Sequence, residues 1–405
     1  MEFGQRLGIR RVMELRRYRE EDRGALARLG VLAFGMGASY WEEYYDPERN
    51  SRLDPSLVYV IEDDGEPRAT VTVLPMEAFV DGEPVEMGGI AAVNAHPAYR
   101  RRGYAGKLMR ASIGGMRERG MPLSMLHPFA HAFYRAHGWE LATEAVKYEL
   151  SPAQIPTSGE QRRVRAYDPS RGDLARMQEL FGGWAATRPC SVGRGEGRWL
   201  QVLAREDQEA AVYEAEDGTI EGYLLYGQSE GSGDPPNTLD VSELVANTPA
   251  AREALVSFMG AYNPRMYTVK LSTPRGEPLH PYMPDSHVRA RLEPEYMLRL
   301  VDVEGALGLL KRTVNEPLVL HVSDDVVPEN SGSYTMGDGG VTRGAEAEAS
   351  VTLDVRRLAQ LYAGYLSAGQ LARYGLIEPT SEKAVELLEA WFPVGDPYVS
   401  VPDHF

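Results

Sequence analysis

The stretch P-V-E-M-G-G-I-A-A-V-N-A-H-P-A-Y-R-R-R-G-Y-A-G-K-L, residues 84–108, constrains this chain most strongly. Its first half alternates, so that Val85, Met87, Gly89, Ala91, Val93 and Ala95 share one face of a strand. A tight turn then opens directly into a helix predicted over 103–119. There Ala105, Leu108, Met109, Ser112, Ile113 and Met116 recur at three- and four-residue spacing, and Gly120 ends the run. A strand that turns at once into a helix presents consecutive backbone N–H groups at the helix N-terminus, where the dipole and the unpaired donors favour an anion. Gly103 lets the backbone approach a phosphate without a Cβ in the way, Arg101 and Arg102 add positive charge, and Ala105 and Gly106 keep the first helical turn thin. A pyrophosphate fits these properties. A Rossmann fingerprint requires G-x-G-x-x-G and a P-loop requires G-x-x-x-x-G-K-[ST]. Gly103-Tyr104-Ala105-Gly106 fails the first, and Leu108 after Gly106-Lys107 fails the second. On these residues alone, an arginine cluster capping an ordinary surface helix remains the alternative.

The surrounding sequence alternates between strand and helix patterns. A strand-like run at 13–18 precedes a helix opened by Glu20-Glu21-Asp22, and residues 1–12 read as an upstream extension. Runs 57–63 and 69–80 flank Asp64-Gly65-Glu66 as a hairpin, and Asp81-Gly82 turns into the strand before the arginines. A short buried strand at 122–127, a short helix and a last strand near 139–150 complete an α/β unit ending near 155. Residues 151–161 have linker composition. A second unit repeats the theme from 164, with a hairpin over 210–227 and a strand and helix over 238–262, but without an Arg/Gly turn. From about Tyr296 the pattern changes to strands at 318–324 and 349–355, with a hairpin predicted in the turn-rich run between them and helices near 356–366 and 381–391. A length of 405 residues accommodates this number of domains.

At YRRRGYAGKL the chain resembles the GNAT superfamily of N-acetyltransferases, whose pyrophosphate motif is R-x-x-G-x-[GA]. FYRAHGWE (133–140) is similar to that fold's passage from helix to late strand. The whole chain resembles the enhanced intracellular survival protein family of bacteria. That resemblance implies an α/β (α+β) architecture: an active GNAT domain (13–155), a degenerate GNAT-like domain (156–296) and a sterol-carrier-protein-like domain (297–405). It implies acetyl-CoA as co-substrate and no metal. Val93, Asn94 and Ala95 would pair with the pantetheine arm. Arg101, Arg102, Gly103, Tyr104, Ala105 and Gly106 would surround the diphosphate, and Phe129 and Ala130 would lie near the thioester. The family carries a Ser-Glu pair at those last two positions, so any polar contact made by such a pair is absent here. Tyr134 matches the family's general acid, and a phenol with a pKa near 10 can protonate a departing thiolate. Packing beside Phe133 and Trp139 is the competing explanation of that ring.

The base that deprotonates an amine acceptor has several candidates on the residues: Glu86, His96, His127, His131, Asp403, His404 and the carboxylate of Phe405. His96, before a proline in the turn, reads as a cap or a solvent-facing side chain. The resemblance assigns the role to the chain terminus, Phe405, and the apolar tail with Tyr398, Val399 and Val401 fits a buried end. Tyr40, Trp41, Tyr44 and Tyr45, interleaved with Glu42, Glu43 and Asp46, read equally as a cation-binding loop or a packing cluster. The formal charge of −16 argues against nucleic acid and favours cationic partners. The single Cys190 excludes an internal disulfide framework and fits a reducing cytoplasm. No base stands near it in TRPCSVGRG. The N-terminus lacks the apolar stretch of a signal peptide, and no window is apolar enough to span a membrane. The resemblance implies aminoglycoside, polyamine or lysine-type acceptors and a homohexamer. A lipid or sterol carrier, or a CoA-sensing protein, is the rival from another class.

Overall fold

The structure, a computed structural model, describes residues 13–230, 237–262, 268–344 and 347–405. The extension expected over 1–12 lies outside the described residues. Contacts divide the chain into two compact units, and each is considered by itself. The first comprises the described residues up to Met76, Met87–Leu126 and, from the far end of the chain, Phe405. The second comprises Glu77–Glu86 and His127–His404.

The first unit holds β1 (Met13–Arg17), α1 (Arg23–Phe34), α2 (Ala38–Tyr44), β2 (Val58–Asp63), most of β3 (Glu66–Val80) and β4 (Glu83–Ala95), α3 (Tyr104–Glu118) and β5 (Leu123–Leu126). The strands lie in sequence order, β1-β2-β3-β4-β5, antiparallel through β3 and parallel at β4–β5. Alternation sorts the two faces of β2. Val58 and Val60 pack with Leu26, Leu29, Trp41 and Tyr45 from α1 and α2. Tyr59, between them, points to α3, where a Cβ on Gly115 would stand 1.7 Å from its hydroxyl. The apolar stripe of α3 is buried as its spacing requires: Leu108, Met109 and Met116 have no exposed surface.

In the second unit, α4 (His131–Arg135) leads to β6 (Glu140–Leu141) and β7 (Glu144–Leu150). The single strand expected over 139–150 is therefore two. β6 pairs with β14 (Met297–Leu300), whereas β7 joins another sheet entirely. That sheet includes β8 (Val164–Ala166), β9 (Glu209–Glu214), β10 (Ile220–Glu230), β11 (Asn237–Ala246), β12 (Thr268–Pro274) and β13 (Arg289–Pro294), in the order β13-β7-β12-β11-β10-β9-β8. One face packs on α7 (Pro249–Gly260) through Tyr148, Leu150, Leu239, Val269 and Leu271. The other packs on α5 (Asp173–Ala186) and α6 (Glu196–Leu203) through Ala145, Val212, Tyr223 and Val245. Residues 142–143 break the run because both their N–H groups donate to the carbonyl of Tyr296 instead of a strand neighbour.

The remaining sheet holds β15 (Leu318–Ser323), β16 (Gly332–Gly337), β17 (Gly340–Arg343), β18 (Ser350–Asp354) and β19 (Glu378–Pro379), in the order β17-β16-β15-β18-β19. The predicted hairpin is β16–β17, and β15 and β18 run parallel beside it. Helices at Val303–Gly308, Val355–Tyr362, Ala368–Arg373 and Glu382–Trp391 accompany this sheet. No helix among the described residues is long and apolar enough to cross a membrane.

Candidate active site

The arginine turn is the sharpest feature of the first unit. Gly103 caps α3 with a φ of 78°, no side chain caps the helix, and nothing lies within 4 Å of where a Cβ on Gly103 would stand. The first intrahelical bond belongs to Lys107, whose N–H donates to the Gly103 carbonyl. The N–H groups of Tyr104, Ala105 and Gly106 thus face an open cradle. Arg101 (φ 62°) is exposed and makes no ion pair among the described residues, so its charge is available. Two of the residues expected around the diphosphate have side chains engaged elsewhere. The side chain of Tyr104 turns inward and its hydroxyl donates to Asp63 at 2.5 Å, which leaves only its backbone N–H for an anion. Arg102 pairs with the same carboxylate at 3.4 Å and stacks on Tyr99 at 4.4 Å. The cause is Asp63 itself, a buried charge that must be partnered. His96 caps the preceding turn, its Nδ1 accepting from the N–H of Ala98.

The alternation read through Ala95 stops at Ala91. Ala92 adopts a φ of 50°, a left-handed residue inside a strand, and the face reverses so that Asn94 is buried and Val93 half-buried. A residue in that conformation interrupts the regular pleat of its strand. The β4–β5 register runs from Met87↔Leu123 to Ile90↔Leu126, where β5 ends, while β4 continues to Ala95. The other edge of β4 stays engaged, since the N–H of His96 donates to the Arg68 carbonyl. Val93–Ala95 therefore lie on a strand edge that has outrun its neighbour. The Nδ2 of Asn94 donates to the Ala92 carbonyl, and its buried Oδ1 has no partner among the described residues. Farther back on β4, Phe405 occupies the space left by Gly89: a Cβ there would stand 2.9 Å from the Phe405 ring and 2.8 Å from Met76 Sδ.

In the second unit, Tyr134 on α4 is 2% exposed, and its ring packs edge-on against Phe129 and Phe133. Its hydroxyl makes no hydrogen bond among the described residues, and burial pushes its pKa above the ordinary phenol value. Phe129 is 66% exposed and Ala130 is exposed beside it. Of the base candidates, Asp403 is buried and spent on Arg194 at 2.7 Å, and Glu86 is exposed. His404 is pushed down to about 4 by burial and by the neighbouring His127, while burial and the nearby Lys147 and His131 lower His127 too. Glu295 is a further acid beside these histidines: it is buried, 3.4 Å from Lys147 and 3.9 Å from His404, neither oxygen accepts a hydrogen bond among the described residues, and burial raises its pKa. Its position between β13 and β14 left no periodic signal. Cys190 is buried and its thiol is pushed up to about 12, which keeps it inert. In the first unit, Trp41 and Tyr45 are core residues, with Trp41 filling the space above Gly30, so the aromatic loop is mainly a packing cluster.

The helix of the second unit that joins two parallel strands as α3 does, α7, begins differently. Thr248 accepts from the N–H of Ala251, and Pro249 has no N–H to offer. That leaves the N–H of Ala250 for an anion, where the start of α3 presents three such groups.

Residues 14–142 and again 190–300 match acetyltransferase (GNAT) domain families, and residues 303–400 match a sterol carrier protein domain family. The chain is 30% identical over 375 residues to an uncharacterized N-acetyltransferase of Streptomyces avermitilis, covering 85% of this chain and 87% of the relative. The chain belongs to the GNAT N-acetyltransferase family. A GCN5-related N-acetyltransferase structure from Kribbella flavida is 26% identical with a TM-score of 0.82, covering 98% of this chain and 99% of that one. Eis1 from Mycobacterium abscessus, 22% identical with a TM-score of 0.78, shares the fold over 97% of this chain and 100% of its own. As a GNAT acetyltransferase the protein uses acetyl-CoA, and the first unit fits it. The open cradle at Gly103, the free N–H groups of α3 and the unpaired edge at Val93–Ala95 are the groups that would hold it. When bound, it supplies an acetyl group activated as a thioester.

Proposed function

We propose that this GNAT enzyme acetylates a primary amine of a cationic acceptor, of aminoglycoside, polyamine or lysine type, by direct transfer. Tyr134 is the general acid and the carboxylate of Phe405 the general base. The observation that carries the reading is the Tyr134 hydroxyl, a donor on a buried ring with no hydrogen-bond partner among the described residues. Its raised pKa keeps the proton on Oη at working pH, ready for the departing sulfur. The Phe405 carboxylate accepts the proton that the ammonium must lose before it can attack. The packing of Phe405 against Gly89 and Met76, in the unit that carries the cradle, supports that assignment. A terminal carboxyl has a pKa of roughly 3.5, so burial or a bound water must assist it. Phe129 and Ala130, lacking the polar pair of the resembling family, make only apolar contact near the acetyl group. The same resemblance supports domain limits at 155 and 296, a homohexamer and a cytoplasmic location.

A panel of amines offered with acetyl-CoA, read by release of free thiol, tests the activity. Cationic primary amines should release thiol and neutral ones should not. A protein with an amidated C-terminus should bind acetyl-CoA normally yet turn over slowly at neutral pH, recovering in part at high pH where free amine is abundant. Full activity of the amidated protein at neutral pH would remove Phe405 from the mechanism.

A further inference from the structure

The second unit contains a buried charge cluster that the chemistry above does not use. The Arg194 guanidinium has no exposed surface. It forms paired hydrogen bonds to Glu243 (2.9 and 2.6 Å) and to Asp403 (2.9 and 2.7 Å), and both carboxylates are almost fully buried. It lies between the rings of Phe181, at 4.2 Å, and Trp199, at 4.4 Å. The Tyr223 hydroxyl donates to Glu243 at 2.6 Å, and the Ser400 hydroxyl donates to the same carboxylate. Arg198 donates to the Pro402 carbonyl, and the Ser191 hydroxyl to the Tyr398 carbonyl at 2.8 Å. Tyr398, Ser400, Pro402 and Asp403 are thus each held by the segment 191–198 or by Glu243 on β11.

A buried ionic triad is a poor source of stability beside apolar side chains of equal volume. What a guanidinium fork does well is fix geometry, since its five donors sit in one rigid plane. Phe405 follows Asp403 by two residues, so it can lie no farther than about 7 Å along the chain from the anchor. At the start of α7 in the same domain, Thr248 and Pro249 leave fewer N–H groups for an anion than the start of α3 does.

We propose that the second GNAT domain has exchanged cofactor binding for a clamp on the chain's own C-terminus, and that Arg194 is a positioning residue acting through Asp403 on the terminal carboxylate. The proposal rests on Phe405 supplying the base. Arg194→Lys keeps the charge and loses the fork, and Asp403→Asn keeps the shape and loses the charge. In full-length protein each should lower kcat about 10- to 100-fold and leave KM for acetyl-CoA unchanged. Each should also speed the release of phenylalanine by a carboxypeptidase, a readout of the tether that does not depend on activity. Inserting a glycine between Asp403 and His404 leaves the triad intact and lengthens the tether by about 3.5 Å, so it should lower kcat without altering thermal stability. It also keeps the proposal testable if either substitution fails to fold. Unchanged kcat in the insertion, slow turnover without faster phenylalanine release, or faster release with unchanged kcat would each overturn the clamp. If the amidated protein is slow and these variants are not, the base reading stands and the clamp alone fails. If the amidated protein is fully active, the base reading fails and takes the clamp's purpose with it.

Discussion

At Gly103 the left-handed backbone and the empty space beside it mean that a substitution meets no atom, only the modest strain of a side chain at positive φ. Aspartate tolerates that region better than most residues, so Gly103→Asp should cost about 1 kcal/mol of stability. It would place a carboxylate among donors arranged for a diphosphate. Titration calorimetry should show a folded protein with no measurable acetyl-CoA binding, and unchanged affinity would remove the cradle from the cofactor site. Tyr134→Phe asks a different question, because it keeps the buried ring and removes only an unpartnered hydroxyl. Acetyl-CoA affinity should hold while kcat falls ~10²-fold, the range for loss of a general acid. The sign of the pKa shift adds a pH test. Burial raises Tyr134, so the phenol stays protonated past its ordinary titration near pH 10. Wild-type kcat should therefore show no alkaline loss attributable to this residue below about pH 10. Full activity of the Phe variant in steady-state assays would leave Tyr134 as packing alone.

Helix α3 carries two adjacent glycines whose surroundings differ completely. A Cβ on Gly114 would meet nothing within 4 Å, whereas one on Gly115 would stand 1.7 Å from the Tyr59 hydroxyl. Gly114→Ala should therefore stabilise the protein by about 0.5–1 kcal/mol, the helix-interior difference between the two residues. Gly115→Ala should destabilise it by about 1–3 kcal/mol by driving α3 off β2. Denaturant unfolding of both variants measures the difference, and equal effects would mean that Tyr59 does not set the helix–sheet distance. The stripe of α3 was legible because 3.6-residue periodicity writes burial directly into the sequence. The alternation of β4 was legible only to Ala91, because nothing in Ala91-Ala92-Val93 announces a residue at positive φ. The sorting of 140–150 between two sheets was hidden for a related reason. Glu144–Leu150 reads as a strand, and its partners Thr268–Pro274 and Arg289–Pro294 lie more than a hundred residues away. Within the candidate site, Gly103 and Arg101 were singled out by motif spacing and Tyr134 by the family resemblance, and their roles are those proposed above. The inward turn of Tyr104 is set by Asp63, and the buried ion pairs of Arg194 by Glu243 and Asp403, pairings that local spacing does not encode.

Across the whole molecule, 59 acidic residues stand against 43 basic ones, giving the formal charge of −16. A field of that sign concentrates cations near the surface and repels acetyl-CoA, whose phosphates would be met locally by Arg101 and the N–H groups of α3 on the reading proposed here. The two substrates should therefore respond to salt through different terms. Screening lengths fall from roughly 10 Å at 0.1 M to roughly 3 Å at 1 M, so added salt removes the long-range attraction while leaving hydrogen bonds at close range. With acetyl-CoA saturating, KM for a cationic acceptor should climb as ionic strength rises, and kcat should stay level because the proton transfers proposed for Tyr134 and Phe405 are local. With the acceptor saturating, any rise in KM for acetyl-CoA reports the arginine contribution and should shrink in Arg101→Gln. The sign of the acceptor response distinguishes the substrate classes. A neutral amine of similar size should show a flat KM, and an anionic acceptor should improve with salt. If the best acceptor found in the amine panel binds equally well at all ionic strengths, the acidic surface is not guiding it. The substrate would then be sought among apolar amines rather than polycations.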